Sequence, residues 1–348
     1  MKYYTLKVLA LRKETADTVT VIFKQPGLKK ITYLPGQYLT VIFKINGRRY
    51  IRPYSFSSAP LIDTDLEVTI KRVPGGIVSN HIIDRLGIGD LVEVMEPMGS
   101  FTLDHDLIRL DTHLVLWGAG SGITPLMSII KYALFKDLVK HVTLVYGNRT
   151  SDSVIFKDKI QSLKEQYADI FSLRNFHTQL TIGQENRDVV QGRIDPAKVL
   201  SVMQSEGGFK NTVHYICGPT GLKESVKAVL SDLGIESKVI FSEEFEIVRD
   251  PADFESIITR MVAIKKDGEH LLVEVVKGKS ILEAGLDARI ELTYSCQVGD
   301  CLICKGRLTK GKVKMIGIAE RPKELKENEY LLCCSFPLTD DVEVEKLI

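Results

Sequence analysis

Five of the six cysteines fall after residue 290, at Cys296, Cys301, Cys304, Cys333 and Cys334, and Cys217 stands apart. The spacing Cys296-x4-Cys301-x2-Cys304 puts three thiols on one tight loop. Such a loop can hold one face of a metal centre, and a distant fourth thiol can close it. Iron–sulfur chemistry is expected rather than zinc, because structural zinc sites usually pair two short Cys-x2–4-Cys units. Gly299, inside the loop, lets backbone approach bridging sulfides where a side chain would clash. A zinc knuckle or a group of buried free thiols is the alternative. Cys333 and Cys334 both offer a fourth ligand. Neighbours on a strand point to opposite faces, so only one of them should face the centre.

Other segments suit a phosphate-bearing cofactor. Arg52-Pro53-Tyr54-Ser55 supplies a cation for a phosphate, an aromatic ring to lie against a cofactor ring and a hydroxyl for a polar edge. In Lys71-Arg72-Val73-Pro74-Gly75-Gly76-Ile77-Val78-Ser79, two glycines and a serine stand at a helix start, where backbone N–H groups suit an anion. Gly118-Ala119-Gly120-Ser121-Gly122-Ile123-Thr124-Pro125 follows an apolar strand and opens a helix, so a pyrophosphate can approach its backbone. At the end of the following strand, Tyr146-Gly147-Asn148-Arg149 offers Arg149 and no acid before Asp152. That favours a sugar 2′-phosphate over a 2′-hydroxyl, hence NADPH over NADH.

The elements that must position these groups fall into three parts. Residues 1 to about 105 alternate as strands (Thr18–Phe23, Tyr38–Phe43, Leu66–Ile70) between turns at Pro35-Gly36, Asn46-Gly47 and Pro74-Gly75-Gly76, which predicts a small antiparallel barrel. Residues 106–250 alternate short apolar strands with helices, which predicts a parallel α/β sheet. Asp250-Pro251 opens an expected linker over 251–261. Residues 262–348 begin with a hairpin turning at Lys266-Asp267-Gly268-Glu269, then a short helix capped by Ser280 with Glu283 completing a capping box.

Composition narrows the class. The 348 residues are 44% hydrophobic and 26% charged, an ordinary globular balance. With 46 basic against 45 acidic residues, nucleic-acid or anionic-membrane binding has no electrostatic support. No apolar run reaches the roughly 18 residues a membrane span needs. The start lacks the pattern of a signal peptide, so a cytoplasmic protein is expected and a disulfide framework is not.

Taken together, Arg52–Ser55, the Gly76–Ser79 turn, Pro35-Gly36-Gln37-Tyr38 and Pro97-Met98-Gly99-Ser100-Phe101 resemble the flavin domain of the ferredoxin–NADP reductase superfamily. The Gly-x-Gly-x-Gly-Ile-Thr-Pro turn and Cys217-Gly218-Pro219 resemble its nicotinamide domain. Tyr294-Ser295-Cys296 through Cys304-Lys305-Gly306 resembles plant-type [2Fe–2S] ferredoxins, with Leu302 where that family has a small residue. The resemblance implies a multidomain protein: an antiparallel β-barrel flavin domain, an α/β parallel-sheet nicotinamide domain and an α+β β-grasp ferredoxin domain. It implies FAD, or in a minority of such families FMN, stacked on Tyr54, with Ser55 near its reactive nitrogen and Arg52 on the pyrophosphate. Ile70, Lys71, Gly76, Ile77 and Ser79 would line the same cofactor. Gly120, Gly122, Thr124, Pro125, Gly218 and Pro219 would hold the nicotinamide nucleotide. Cys217 would lie beside the nicotinamide ring and position it, and Glu243 with Phe245 would lie beside the flavin. The family's cysteine followed four residues later by proline selects Cys333, whereas the common spacing after the third ligand selects Cys334; Cys333 is the expected ligand with Cys296, Cys301 and Cys304.

In this order the domains resemble reductase components of multicomponent oxygenases, a group that includes phenylacetyl-CoA epoxidase reductases and ketosteroid hydroxylase reductases. The implied activity is oxidoreduction. A nicotinamide gives two electrons together, an iron–sulfur centre takes one at a time, and a flavin between them does both. The expected partner is a terminal oxygenase or epoxidase. Other redox acceptors are a ferredoxin, a hybrid-cluster protein or a desaturase, and a non-catalytic zinc-binding regulatory subunit is the reading from another class. The near-balanced charge after Pro251 fits a tethered carrier, which needs less electrostatic steering than a free ferredoxin.

Overall fold

Six strands come first: β1 (Tyr3–Thr15), β2 (Thr18–Phe23), β3 (Tyr38–Ile45), β4 (Arg48–Ser55), β5 (Leu66–Lys71) and β6 (Leu91–Met95), with helix α1 (Ile77–Arg85) before the last. The computed structural model describes residues 1–103, 106–180, 188–205, 211–247, 249–318 and 320–347. They fold as two compact units, Met1–Phe43 with Pro53–Glu244, and Lys44–Arg52 with Phe245–Ile348.

The first sheet runs β4-β3-β6-β1-β2-β5, and the pairings of β1 with β2 and β6, of β2 with β5 and of β3 with β6 are all antiparallel. Strand β1 serves two neighbours because it bends. Its first half pairs with β6, and a register shift near Val8 hands its second half to β2. The chain beyond β4 then meets β5 through a Phe56–Val68 bridge and the Ser57 N–H on Glu67 O at 2.9 Å, which closes the barrel. The two glycine segments Pro35-Gly36 and Pro97–Phe101 lock together: Tyr38 and Met98 exchange backbone hydrogen bonds, and a side chain at Gly36 would run into the Phe101 carbonyl.

The second sheet is built from β7 (His113–Ala119), β8 (His141–Asn148), β9 (Phe171–His177), β10 (Val189–Gln191), β11 (Thr212–Cys217) and β12 (Ile240–Glu243). It is parallel throughout, in the order β10-β9-β8-β7-β11-β12. Helices α2 (Ile123–Phe135), α3 (Lys157–Gln166), α4 (Pro196–Ser205) and α5 (Thr220–Asp232) connect its strands. Alternate strand residues face two cores. Leu114, Leu116, Leu144 and Tyr215 pack with α2 and α3, while Val115, Trp117, Val145 and Ile216 pack with α4 and α5. Strand order reverses between β7 and β11, so their C-terminal ends form the crevice where such sheets bind ligands.

The barrel and this sheet share one unit, and buried polar contacts tie them. The Lys131 ammonium on α2 bonds to the Asp63 carboxylate, and Ser128 Oγ donates to Ser58 O at 2.6 Å. Burial pulls the Lys131 pKa down to about 8. The expected boundary at residue 105 lies outside the described residues.

In the second unit, β13 (Arg260–Lys266) and β14 (Glu269–Val275) form the expected hairpin, with Asp267 and Gly268 both left-handed as a tight turn demands. Helix α6 (Ile281–Asp287) carries the capping box, with Ser280 Oγ accepting from Glu283 N–H and Ser280 N–H donating to the Glu283 carboxylate. Strands β15 (Lys305–Lys310), β16 (Val313–Met315), β17 (Glu329–Leu331), β18 (Ser335–Pro337) and β19 (Glu343–Lys346) follow. The five-stranded sheet β14-β13-β19-β15-β17 pairs β13 parallel to β19, and β16 pairs with β18 apart from it. The expected linker 251–261 contains local structure. Asp250 caps a short turn at Pro251–Phe254, and Ile257 is buried against Ile316 and Phe336.

Trp117 is the only tryptophan, and its indole N–H donates to buried His214 at 3.2 Å. Burial, with a smaller contribution from His113, pulls the His214 pKa down from 6.5 to about 3. The folded protein therefore keeps this ring neutral while the unfolded chain protonates it, so stability is lost as pH falls from about 6.5 toward 3. At pH 5 the loss should be on the order of 2 kcal/mol. Urea unfolding followed by Trp117 fluorescence should show this between about pH 7 and 5, and His214→Gln should flatten the dependence.

Candidate functional site

Burial along β4 sorts its motif. Arg52 and Tyr54 are half-buried, whereas Ile51 and Ser55 are buried on the other side of the strand. The Arg52 guanidinium donates to its neighbour Ile51 O at 2.7 Å, which fixes the side chain along the strand. Helix α1 begins at Gly76 without a side-chain cap and without an acid in its first turn. Its first amides, at Ile77 and Val78, suit an anion. Ser79 is buried, and its Oγ accepts from Val73 N–H at 3.1 Å. Ile70 is buried in the barrel, so its backbone is what it offers, and Lys71 lies 3.7 Å from Asp17.

The glycine turn sits at the sheet's switch point. Gly120 is left-handed with open space where a side chain would stand. Gly122 is the opposite: a Cβ there would run into the Cys217 carbonyl. The two strand ends therefore touch through bare backbone. Tyr146 Oη holds the turn by donating to Gly120 O at 2.9 Å, and Thr124 Oγ1 donates to Ser121 O at 2.9 Å. Helix α2 opens at Gly122 with no side-chain cap, Pro125 fits its first turn, and α5 opens at Pro219 likewise uncapped. Sequence reasoning missed Tyr146; the available signal was a tyrosine in a buried strand, which needs a partner for its hydroxyl.

Sheet register brings the remaining groups to the same end. Cys217 lies opposite Gly118 on one side and Glu243 on the other. Ser55 Oγ donates to Glu243 Oε2 at 3.4 Å, so the barrel motif reaches the acid at the end of β12. Burial, with the Glu243 charge adding to it, pushes the Cys217 thiol well up, so it stays neutral. A neutral buried thiol does not act as a nucleophile. Phe245 is 46% exposed and belongs to the second unit. Arg149 is exposed at the end of β8, with Nε on Gln179 Oε1 at 3.2 Å.

In the cysteine loop Cys296 and Cys301 shift one another's thiols, as do Cys304 and Cys333, and Cys333 Sγ also meets Cys334 Sγ. The Val298 and Cys301 amides both donate to Cys296 Sγ at 3.4 Å. The hydrogen bond from Cys301, and then these amides, pulls the Cys296 pKa down to about 6 against burial. Its partner Cys301 is driven up by the same bond, and Cys304 is driven up by Cys333. Among the described residues, no three metal-ligating side chains converge as a single ion requires. Two thiol pairs suit two irons joined by sulfide. Cys334 Sγ lies 3.5 Å from Cys333 Sγ and 3.0 Å from where a Cβ on Gly299 would stand. Both thiols are buried. Gln297, Gly299 and Leu302 are all left-handed. Leu302 is half-buried at φ 60°, so the departure at this position is a backbone cost of about 1 kcal/mol that glycine would not carry.

A closed barrel joined to a doubly wound sheet, followed in the chain by a β-grasp sheet with a paired-thiol loop, defines a flavin and iron–sulfur oxidoreductase. Residues 5–103 match the oxidoreductase FAD-binding domain, 116–228 the oxidoreductase NAD-binding domain, and 264–338 the 2Fe-2S iron-sulfur cluster binding domain. Over 357 aligned residues the chain is 32% identical to a component of the 1,2-phenylacetyl-CoA epoxidase of Escherichia coli (strain K12), covering 99% of this chain and 97% of that one. It is 32% identical to the 3-ketosteroid-9-alpha-monooxygenase ferredoxin reductase component of Rhodococcus rhodochrous, covering 98% and 96%. The solved structure of phthalate dioxygenase reductase shares the fold, with TM-score 0.68 and 23% identity over 99% of this chain and 98% of that one. The chain belongs to the family of FAD- and [2Fe–2S]-containing NAD(P)H reductases that includes the first two proteins.

The bare contact at Gly122 can be tested. Gly122→Ala should cost about 1–3 kcal/mol through overpacking, whereas Gly120→Ala, with open space but a left-handed backbone, should cost about 1 kcal/mol. Urea midpoints read from Trp117 fluorescence check the ranking.

Proposed function

We propose that this chain takes electrons from NADPH and delivers them singly to a terminal oxygenase or epoxidase component. The observation that carries the reading is the convergence of Ser55, Glu243, Cys217 and the Gly118–Gly122 turn at one end of a parallel sheet, in a chain that also bears the paired-thiol loop. When bound, the nicotinamide supplies a hydride, the flavin takes both electrons and releases them one at a time, and the cluster carries single electrons.

The chain's own residues hold these groups. Arg52 and the first amides of α1 bind the flavin's phosphates, and Tyr54 packs on its ring. The Gly118–Gly122 turn takes the nicotinamide pyrophosphate against backbone, as a side chain at Gly122 would forbid. Cys217, neutral and buried, fixes the nicotinamide ring by shape. Ser55 and Glu243 form a polar couple that orients the flavin's polar edge and can hold a proton at the Glu243 carboxylate. Cys296, Cys301, Cys304 and Cys333 ligate the cluster. Arg149 takes the 2′-phosphate, supported by the absence of an acid before Asp152. The oxygenase partner is supported by what the relatives are named for. A cytoplasmic setting is part of the proposal; among the described residues no helix is long and apolar enough to cross a membrane.

Anaerobic NADPH should bleach flavin and cluster absorption in sequence, and a colourless zinc protein would refute the reading. Arg149→Ala should raise KM for NADPH about tenfold while leaving NADH unchanged, since it removes one charge-assisted phosphate contact. Cys333→Ala should lose iron and acid-labile sulfide while Cys334→Ala keeps both; the reverse result would assign Cys334 as the ligand.

A further inference from the structure

Strand β4 ends its sheet, and an edge strand leaves N–H groups without a strand partner. Residues 44–52 fold in the same compact unit as the cysteine loop. Within that unit, the Ile51 N–H donates to the Tyr294 hydroxyl at 3.3 Å, and both residues are buried. Nearby, Arg48 donates to Asp287 at 2.8 Å, and the same carboxylate takes Lys279 at 2.6 Å. The ion pair is exposed on both sides and holds weakly. The buried hydroxyl is the specific contact, because a dry N–H without an acceptor is costly.

The sequence positions of its two ends give this bond a meaning. Ile51 directly precedes Arg52-Pro53-Tyr54-Ser55, the segment assigned to the flavin, and Tyr294 stands two residues before Cys296. We propose that Tyr294 is a positioning residue for the one-electron step, pinning the cluster loop to the peptide that opens the flavin segment. The inference rests on the relay described above. In that step one electron leaves the reduced flavin and reduces one of the two ferric ions of the cluster. No bond forms or breaks at Tyr294 and its proton stays in place. The hydride from NADPH supplies both electrons of a turnover, and each passes to the acceptor before the next arrives.

The test is Tyr294→Phe in the full-length holoprotein, which removes the hydroxyl and keeps the ring. Iron and sulfide content and the rate of flavin bleaching by NADPH should match the parent. The cluster phase in anaerobic stopped flow should slow about tenfold, as expected when a fixed donor–acceptor geometry loosens. Deuterium exchange at the Ile51 amide should quicken, a readout independent of turnover. An unchanged cluster phase, or an unchanged Ile51 exchange rate, would overturn the proposal. Should Tyr294→Phe lose iron, Ile51→Pro takes its place, removing the N–H at the other end of the same bond: a slowed cluster phase with an intact flavin phase supports the pin, and two unchanged phases refute it. A parent protein with no flavin-to-cluster transfer would instead refute the relay itself, whatever the exchange at Ile51.

Discussion

Two strand ends meet in the nucleotide-binding half with no side chain between them. Gly122 lies against the Cys217 carbonyl, and a single methyl group there would force the sheet's crevice apart. Much else follows from that approach. It sets how near the turn after β7 comes to the end of β11, and register then places Glu243 beside Cys217 on the next strand. It leaves Gly120 free to adopt its left-handed turn, with Tyr146 bracing the carbonyl from below. It also buries Cys217, whose neutrality is a consequence of the same close packing.

The cysteine loop meets a comparable constraint by other means. Three left-handed residues turn its amides toward sulfur, and only one of them is glycine. Gln297 and Leu302 carry backbone strain that the surrounding contacts must hold in place. Gly299 is glycine for a further reason, since Ile318 and Cys334 occupy the space a side chain would need. The Cys333 and Cys334 thiols lie 3.5 Å apart, and it is Cys334 that crowds the position a side chain at Gly299 would take.

What the sequence disclosed was local. The Asp267-Gly268 turn, the Ser280–Glu283 capping box and the glycine turn after β7 each depend on residues a few positions apart, so their chemistry can be read directly. The cysteine spacing is legible for the same reason. Contacts between distant segments were not. Nothing in the order of residues says that Lys131 meets Asp63, that His214 takes the Trp117 indole N–H, or that Tyr294 reaches Ile51. Ser79 is a further case: its type and place suit a phosphate, and its Oγ also accepts from Val73 N–H in the turn before it, which the sequence does not show. The stretch after Asp250 reads as a linker from its Asp-Pro pair, whereas the burial of Ile257 against Ile316 and Phe336 depends on distant residues.

The Lys131–Asp63 bond and the Ser128 hydroxyl on Ser58 bear on how such proteins can be recombined. A chimera that joins one parent's barrel to another's nucleotide sheet near residue 105 would strand an ammonium deep in α2 unless the donor barrel brings its own carboxylate at the matching loop. Exchange of both halves as one cassette keeps the charge matched. Swapping by family boundaries alone would cut through a desolvated ion pair and leave its cation buried without a counter-charge.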